Sequence, residues 1–374
     1  MTQFQFTMRY LISVLFAAMA AAQPATQDLF TAGESGYVTF RIPGLLAQGN
    51  TVLAYAEARR DGFGDWADID VVLRRSTNGG KTWEPMRVLV DSAKDTVNNP
   101  VMIAGKKAGE IHFLYCVNYA KAYYRRSDDG GRTFSAAREI TAAFETLRKH
   151  YDWNVIATGP GHGIQLRNGR LMVAVWLSTG GRKHRPSRVS TIFSDDHGVT
   201  WQAGELVPDT LPNPSETYAV ERRDGSVQLN IRNESPEHRR AISISPNGAT
   251  GWSVPRFHAQ LVEPVCMGSL IRHPKGGLLF SNPDNLEAIY VDAAKTVNRD
   301  RKNLSVQWSG DDGETWTAKR VLEPGLSGYS DLAATKDGTI LCLYERGGLD
   351  KNIFRTGRLT VARFSLDWVR ATIR

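Results

Sequence analysis

The octet Ser76-Thr-Asn-Gly-Gly-Lys-Thr-Trp83 returns as Ser127-Asp-Asp-Gly-Gly-Arg-Thr-Phe134, as Ser194-Asp-Asp-His-Gly-Val-Thr-Trp201 and as Ser309-Gly-Asp-Asp-Gly-Glu-Thr-Trp316. A worn copy, Ser245-Pro-Asn-Gly-Ala-Thr-Gly-Trp252, has lost the central Gly and the Thr. Successive copies start 51, 67, 51 and 64 residues apart. The chemistry of the octet is that of a tight hairpin loop. An Asp or Asn side chain can accept from backbone N–H groups ahead of it, and Gly supplies positive φ at the reversal. The closing aromatic is then free to pack into a core beside the next strand.

Apolar runs of four to eight residues bounded by turn residues dominate the rest of the chain, for example Val71-Val-Leu-Arg-Arg75 and Ala288-Ile-Tyr-Val291. Helical periodicity is confined to residues 142–149. A repeat of this length carrying several strands predicts the blade of a β-propeller. The roughly 347 residues from position 28 onward divide into six units of about 58; seven would be shorter than every observed spacing. The expected fold is therefore one all-β domain over residues 28–374, a six-bladed propeller. The octets themselves are expected to be structural.

Composition fits that expectation. The chain has 374 residues, 41% hydrophobic and 23% charged, with a net charge of +7 spread along its length. No run of like charges marks a nucleic-acid tail, so nucleic acid is not an expected partner. Cys116, Cys266 and Cys342 form no C-x-x-C pair and read as small buried hydrophobes. Arg9, the apolar run 10–22 and the Ala20-x-Ala22 exit have the three parts of a secretory signal peptide, expected over residues 1–22. That run is too short to span a bilayer comfortably, so the expectation is a secreted or periplasmic protein without a membrane span. Gly80-Lys81-Thr82 mimics the end of a phosphate loop, but position 75 is Arg where that motif needs Gly. Neither an HExxH motif nor a clustered acidic loop is present, so no metal or other cofactor is expected.

Phe40-Arg-Ile-Pro43 followed by the octets resembles the bacterial and animal sialidases, a retaining exo-acting glycoside hydrolase family with six-bladed propellers. The resemblance runs from about residue 36 to residue 346. It implies that Arg41, Arg232 (in Leu229-Asn-Ile-Arg-Asn-Glu234) and Arg301 clamp the carboxylate of a sialic acid by charge-assisted hydrogen bonds. It implies Tyr329 (in Ser327-Gly-Tyr-Ser-Asp-Leu332) as nucleophile and Glu216 (in Asn213-Pro-Ser-Glu216) as its base. A phenol is chemically apt there. A carboxylate would be repelled by the carboxylate on the anomeric carbon, whereas a neutral phenol needs only a neighbouring base. Tyrosine-using sialidases depart in this way from the usual pair of carboxylates.

The same resemblance implies Asp65 as the acid/base, with Asp68 left open as a competitor and Asp70 read as structural. It further implies Glu345 as the carboxylate orienting Arg41, Glu57 and Arg59 as a rim pair near the substrate, and Asn99 on the pocket wall. Two features depart from the family pattern. Trp176 stands where pocket tyrosines are frequent, and a basic loop, Arg182-Lys-His-Arg185, follows it. Both bear on which nonulosonic acid and linkage are preferred. For His184 two readings stand, substrate contact and solvated loop residue. The resulting expectation is a hydrolase of sialylated glycans and glycoconjugates. The alternatives are action on a deaminated nonulosonic acid, sialyl transfer, or a glycan-binding propeller without chemistry; oligomeric state is not legible.

Overall fold

The computed structural model describes residues 22–91, 93–290 and 297–371; nearly all of the expected signal segment lies outside them. About half of the chain, 51%, is strand and 4% is helix. The helix expected over residues 142–149 forms at Ala142–Arg148. A second, Leu366–Arg370, was not anticipated; Ser365 caps it by accepting from Trp368 N.

The strands gather into groups of antiparallel strands, with a parallel pairing of Gly161–His162 against Val97–Ala104. The first runs Thr39–Gln48, Thr51–Arg59, Ile69–Ser76, Arg87–Val90. The second begins at Val97–Ala104, the third at Val155–Thr158 and the fourth at Thr217–Glu221. The last sheet has seven strands because the 17-residue strand Ala318–Ala334 serves two neighbours. Its first half pairs with Lys302–Ser309 and its second half with Ile340–Leu349. The amino-terminal strand Ala25–Thr31 lies at the edge of this sheet, paired with Asn352–Phe364 near the other end of the chain. Ala288–Tyr290, within the apolar run quoted from the sequence, pairs in a separate hairpin with Val297–Arg299; Lys302–Ser309 enters the fourth octet.

The core lies between adjacent groups. Leu53, Tyr55, Val71, Leu73, Met102, Phe113 and Tyr115 fill one such seam, and every residue of Leu171–Ser178 is buried. All three cysteines are free and buried. Thr39–Gln48 packs against both Val97–Ala104 and Ala318–Ala334, and Ser269–Arg272 against both Thr217–Glu221 and Ala318–Ala334. Asp331 ties several of them together. One oxygen accepts from Leu45 N at 2.8 Å; the other accepts from Ser269 Oγ at 2.9 Å and lies 2.7 Å from His162 Nδ1.

The first three octets and the worn copy each turn into an edge strand of their group, and the fourth octet turns from Lys302–Ser309 into Ala318–Ala334. Ser194 Oγ accepts from Gly198 N at 2.8 Å, Asp196 accepts from Thr200 N at 2.8 Å, and Thr200 Oγ1 donates to Asp196 at 2.6 Å. The worn copy keeps this scheme in a contracted loop: Asn247 accepts from Ala249 N and Thr250 N, and Gly248 N reaches Ser245 Oγ at 3.0 Å. Its Gly and Thr have therefore shifted by one position rather than vanished. Ser76 pairs with Val52, whereas Arg41 pairs with Glu57 near the far end of the same sheet. The octet and Arg41 thus occupy opposite ends, and the site must be sought at the Arg41 end.

Candidate active site

Arg41, Arg232, Arg301 and Tyr329 come from four separate strands or strand ends and meet at one cavity of about 320 Å³. Tyr329 is at its centre. The guanidinium carbons of Arg41, Arg232 and Arg301 lie 5.3, 5.9 and 5.1 Å from its ring centroid. Its hydroxyl donates to Glu216 Oε1 at 2.6 Å and accepts from Arg232 Nη1 at 2.6 Å. Arg232 also donates to the other oxygen of Glu216. Tyr329 sits where strand register shifts between Ser327 and Ser330, an irregularity that re-aims a side chain.

Glu345 organises this cluster from beneath. One oxygen accepts from Arg41 Nε at 3.0 Å, the other from Tyr329 N at 3.1 Å. Gly328 makes the approach possible, since a Cβ there would stand 2.3 Å from Glu345 Oε2. Arg301 is braced by Val265 O at 2.7 Å and by the Phe354 ring at 4.8 Å.

The electrostatics separate the acids from the phenol. Burial pushes the Tyr329 pKa well up; the three arginines oppose the rise and Glu216 adds to it, so the phenol stays neutral. Burial would also raise Glu216, but Arg232, the Tyr329 hydrogen bond and Arg301 outweigh it and hold it below the usual carboxylate value. The phenol therefore faces an ionised acceptor. Asp65, its side chain 36% exposed, lines the cavity as well. Burial raises its pKa, yet Arg59, Arg41 and His184 prevail and bring it to about 2.

Asp68 and Asp70 do not line the cavity. Asp70 is buried against Tyr37 and Arg60, at 2.5 and 2.6 Å, which is a structural setting. Asn99 and Trp176 are on the wall as expected. Glu57 and Arg59 differ from expectation: both are wholly buried beneath the cavity rather than at its rim. Arg59 Nη2 donates to Glu57 and to Asp65, each at 2.9 Å, and Glu57 accepts from Asn99 N at 3.0 Å. They support wall residues from behind.

Sequence reading missed Tyr119, Glu234 and Phe354, all cavity-lining. Tyr119 follows Asn118, both with positive φ, at the turn after strand Ile111–Val117; no motif marks it. Glu234 stood in the quoted Arg232 motif without a role; it pairs with Arg185 and accepts from Asn213 Nδ2 at 2.8 Å. His184 is no solvated loop residue. Its ring stacks on Trp66 at 4.6 Å, with Tyr119 at 5.1 Å and Trp176 at 5.2 Å.

A second cavity, about 410 Å³, is lined by residues farther along the same inner strands, such as Ala47, Glu221 and Ala334. Its arginines are engaged: Arg167 and Arg272 bond to Glu221 and Asp312. Convergent charge and a preformed phenol–carboxylate bond make the smaller cavity the candidate site.

An all-β scaffold that assembles three guanidiniums around a phenol and a carboxylate defines a protein with a preformed pocket for an anionic ligand. Comparison narrows the class. The model of the BNR repeat-like domain family matches residues 50–342. A sialidase of Micromonospora viridifaciens is 30% identical over 92% of this chain, which spans only 54% of that protein's length. Mouse Sialidase-2 is 31% identical, with 88% of this chain and 93% of the relative covered. The solved structure of the Hadza microbial sialidase Hz136 superposes with a TM-score of 0.74 at 26% identity, covering 92% of this chain and 69% of that one. The chain belongs to the sialidase family of glycoside hydrolases.

Proposed function

We propose that this protein is an exported exo-α-sialidase, folded as a single six-bladed propeller, that removes terminal sialic acids from glycans and glycoconjugates with retention of anomeric configuration. The observation that carries this reading is the Tyr329–Glu216 hydrogen bond of 2.6 Å inside a ring of three arginines. Arg41, Arg232 and Arg301 take the substrate carboxylate, a group that the anomeric carbon of this sugar class carries. Each charge-assisted bond contributes about 1.5–3 kcal/mol. Tyr329 Oη attacks that carbon while its proton passes to Glu216, and the bond to the leaving oxygen breaks as Asp65 delivers a proton to it. Asp65, now ionised, takes a proton from water as its oxygen displaces Tyr329, and the released phenolate takes its proton back from Glu216.

Against the upward push of burial, Arg59 and Arg41 hold the Asp65 pKa down to about 2, so Asp65 rests ionised in the free enzyme, the form that the second step needs. Substrate supplies a correction. Its carboxylate neutralises Arg41, one of the cations that depress Asp65, and its bulk removes water from the carboxyl. The acid form is favoured once the site is filled.

The test is release of 4-methylumbelliferone from its N-acetylneuraminic acid glycoside, with proton NMR of the first anomer released. Turnover with the α-anomer appearing first is expected, and Tyr329→Phe should lower kcat by orders of magnitude. A folded protein inactive on both this glycoside and its deaminated analogue overturns the reading.

A further inference from the structure

The loop between strands Leu171–Ser178 and Ser187–Ser194 is tied down along its length. Ser178 Oγ donates to Lys183 O at 3.0 Å, Tyr151 Oη donates to Pro186 O at 2.8 Å, and Arg185 pairs with Glu234. Gly180 packs against the same loop's backbone, where a Cβ would stand 2.2 Å from Arg185 O. Between these anchors His184 is carried into the cavity and rests on three aromatic rings. One of them, Trp66, is the neighbour of Asp65, and its stack with His184 is close to parallel at 22°. His184 Nδ1 lies 3.7 Å from Asp65 Oδ2, while Arg59 holds Oδ1. His184 Nε2 is buried and forms no hydrogen bond among the described residues.

We propose that His184 is a positioning residue for Asp65, fixing its loop through Trp66 and setting, by its own protonation, how readily that carboxyl takes up a proton. This rests on the acid/base role given to Asp65 above. The charged groups facing the imidazole are Asp65 on the loop beneath, Glu216 and Arg232 across the cavity and Arg185 beside it; Tyr119 and Trp176 close the remaining sides. Burial lowers the imidazole pKa most, Arg232 and Arg185 lower it further, and Asp65 and Glu216 raise it, leaving it below the ordinary value. Neutral His184 adds no further cation to Arg59 and Arg41 beside Asp65. Once protonated in acid, it stabilises the carboxylate and opposes the proton uptake that departure of the aglycone requires.

The full-length enzyme provides the test through pH profiles of kcat/KM for wild type, His184→Gln and His184→Phe on the 4-methylumbelliferyl glycoside. Relative to wild type, both variants should gain at least about threefold between about pH 7 and about pH 4.5, because the acid limb loses one titrating cation. His184→Phe should also recover the thermal stability that His184→Ala loses. A variant-to-wild-type ratio equal at both pH values overturns the proposal and leaves the residue with packing alone. Independently of turnover, NMR titration of the His184 ring should give a lower pKa in Asp65→Asn than in wild type; no change overturns the coupling. Wild type inactive on sialosides would sink the functional reading while this titration still decides the contact.

Discussion

Glu345 fixes two groups at once, because its oxygens receive the Arg41 side chain and the Tyr329 backbone. A neutral amide in its place would present a donor to one of two donors. Glu345→Gln is therefore expected to lose one charge-assisted bond, about 1.5–3 kcal/mol, and to lower kcat/KM roughly 10- to 150-fold in steady-state assays. Gly328→Ala should act in the same direction by pushing the carboxylate aside. Arg59 makes the complementary case. Its removal leaves the wholly buried Glu57 without its cation, so Arg59→Ala should cost about 3–5 kcal/mol in a denaturant titration. At this scale the motif-bearing residues were legible: Arg41, Arg232, Arg301, Tyr329 and Glu216 stand in recognisable strings. Tyr119 and the burial of Glu57 and Arg59 were not, since they follow from how hairpins from different groups close over one another.

The octets were legible as turns because their hydrogen bonds are local, made within seven residues of chain. Burial raises the Asp196 pKa, but bonds from Thr200 and Ser194 outweigh it and take the carboxyl from 3.8 to about 2. A depressed folded-state pKa means stability that is present above about pH 4 and lost as pH falls towards 2. Asp129 and Asp311 behave alike, so acid unfolding should draw on several turns together. Asp196→Ala is expected to lower stability at neutral pH by about 1–3 kcal/mol, and thermal melts across pH should show a shallower acid decline than wild type. Pairing beyond the turn is less visible in sequence. The shared strand Ala318–Ala334 pairs with strands on both sides, and Ala288–Tyr290 pairs with Val297–Arg299 in a separate two-stranded sheet, outcomes that turn chemistry does not encode.

Across the whole molecule the two ends of the described chain are joined in one sheet. Ala25–Thr31 pairs with Asn352–Phe364 from Ala25↔Arg363 to Thr31↔Arg358. Phe30 on that strand is fully buried, 5.5 Å from Phe40 in the first group, so it links the last sheet to the strand carrying Arg41. The strands that carry Arg41 and Tyr329 are thus tied by apolar contact at the edge of the last sheet as well as by the bond from Leu45 N to Asp331. Phe30→Ala should cost about 3–5 kcal/mol through the cavity it opens, and lower the melting temperature by several degrees. The decisive comparison is with activity well below the melt. Because Phe30 touches none of the cavity, the folded variant should keep its KM, while its thermal inactivation accelerates. A KM that rises several-fold under conditions where the protein remains folded would mean that the peripheral seam also sets the spacing of the arginines, and that closure of the sheets and assembly of the site are one event.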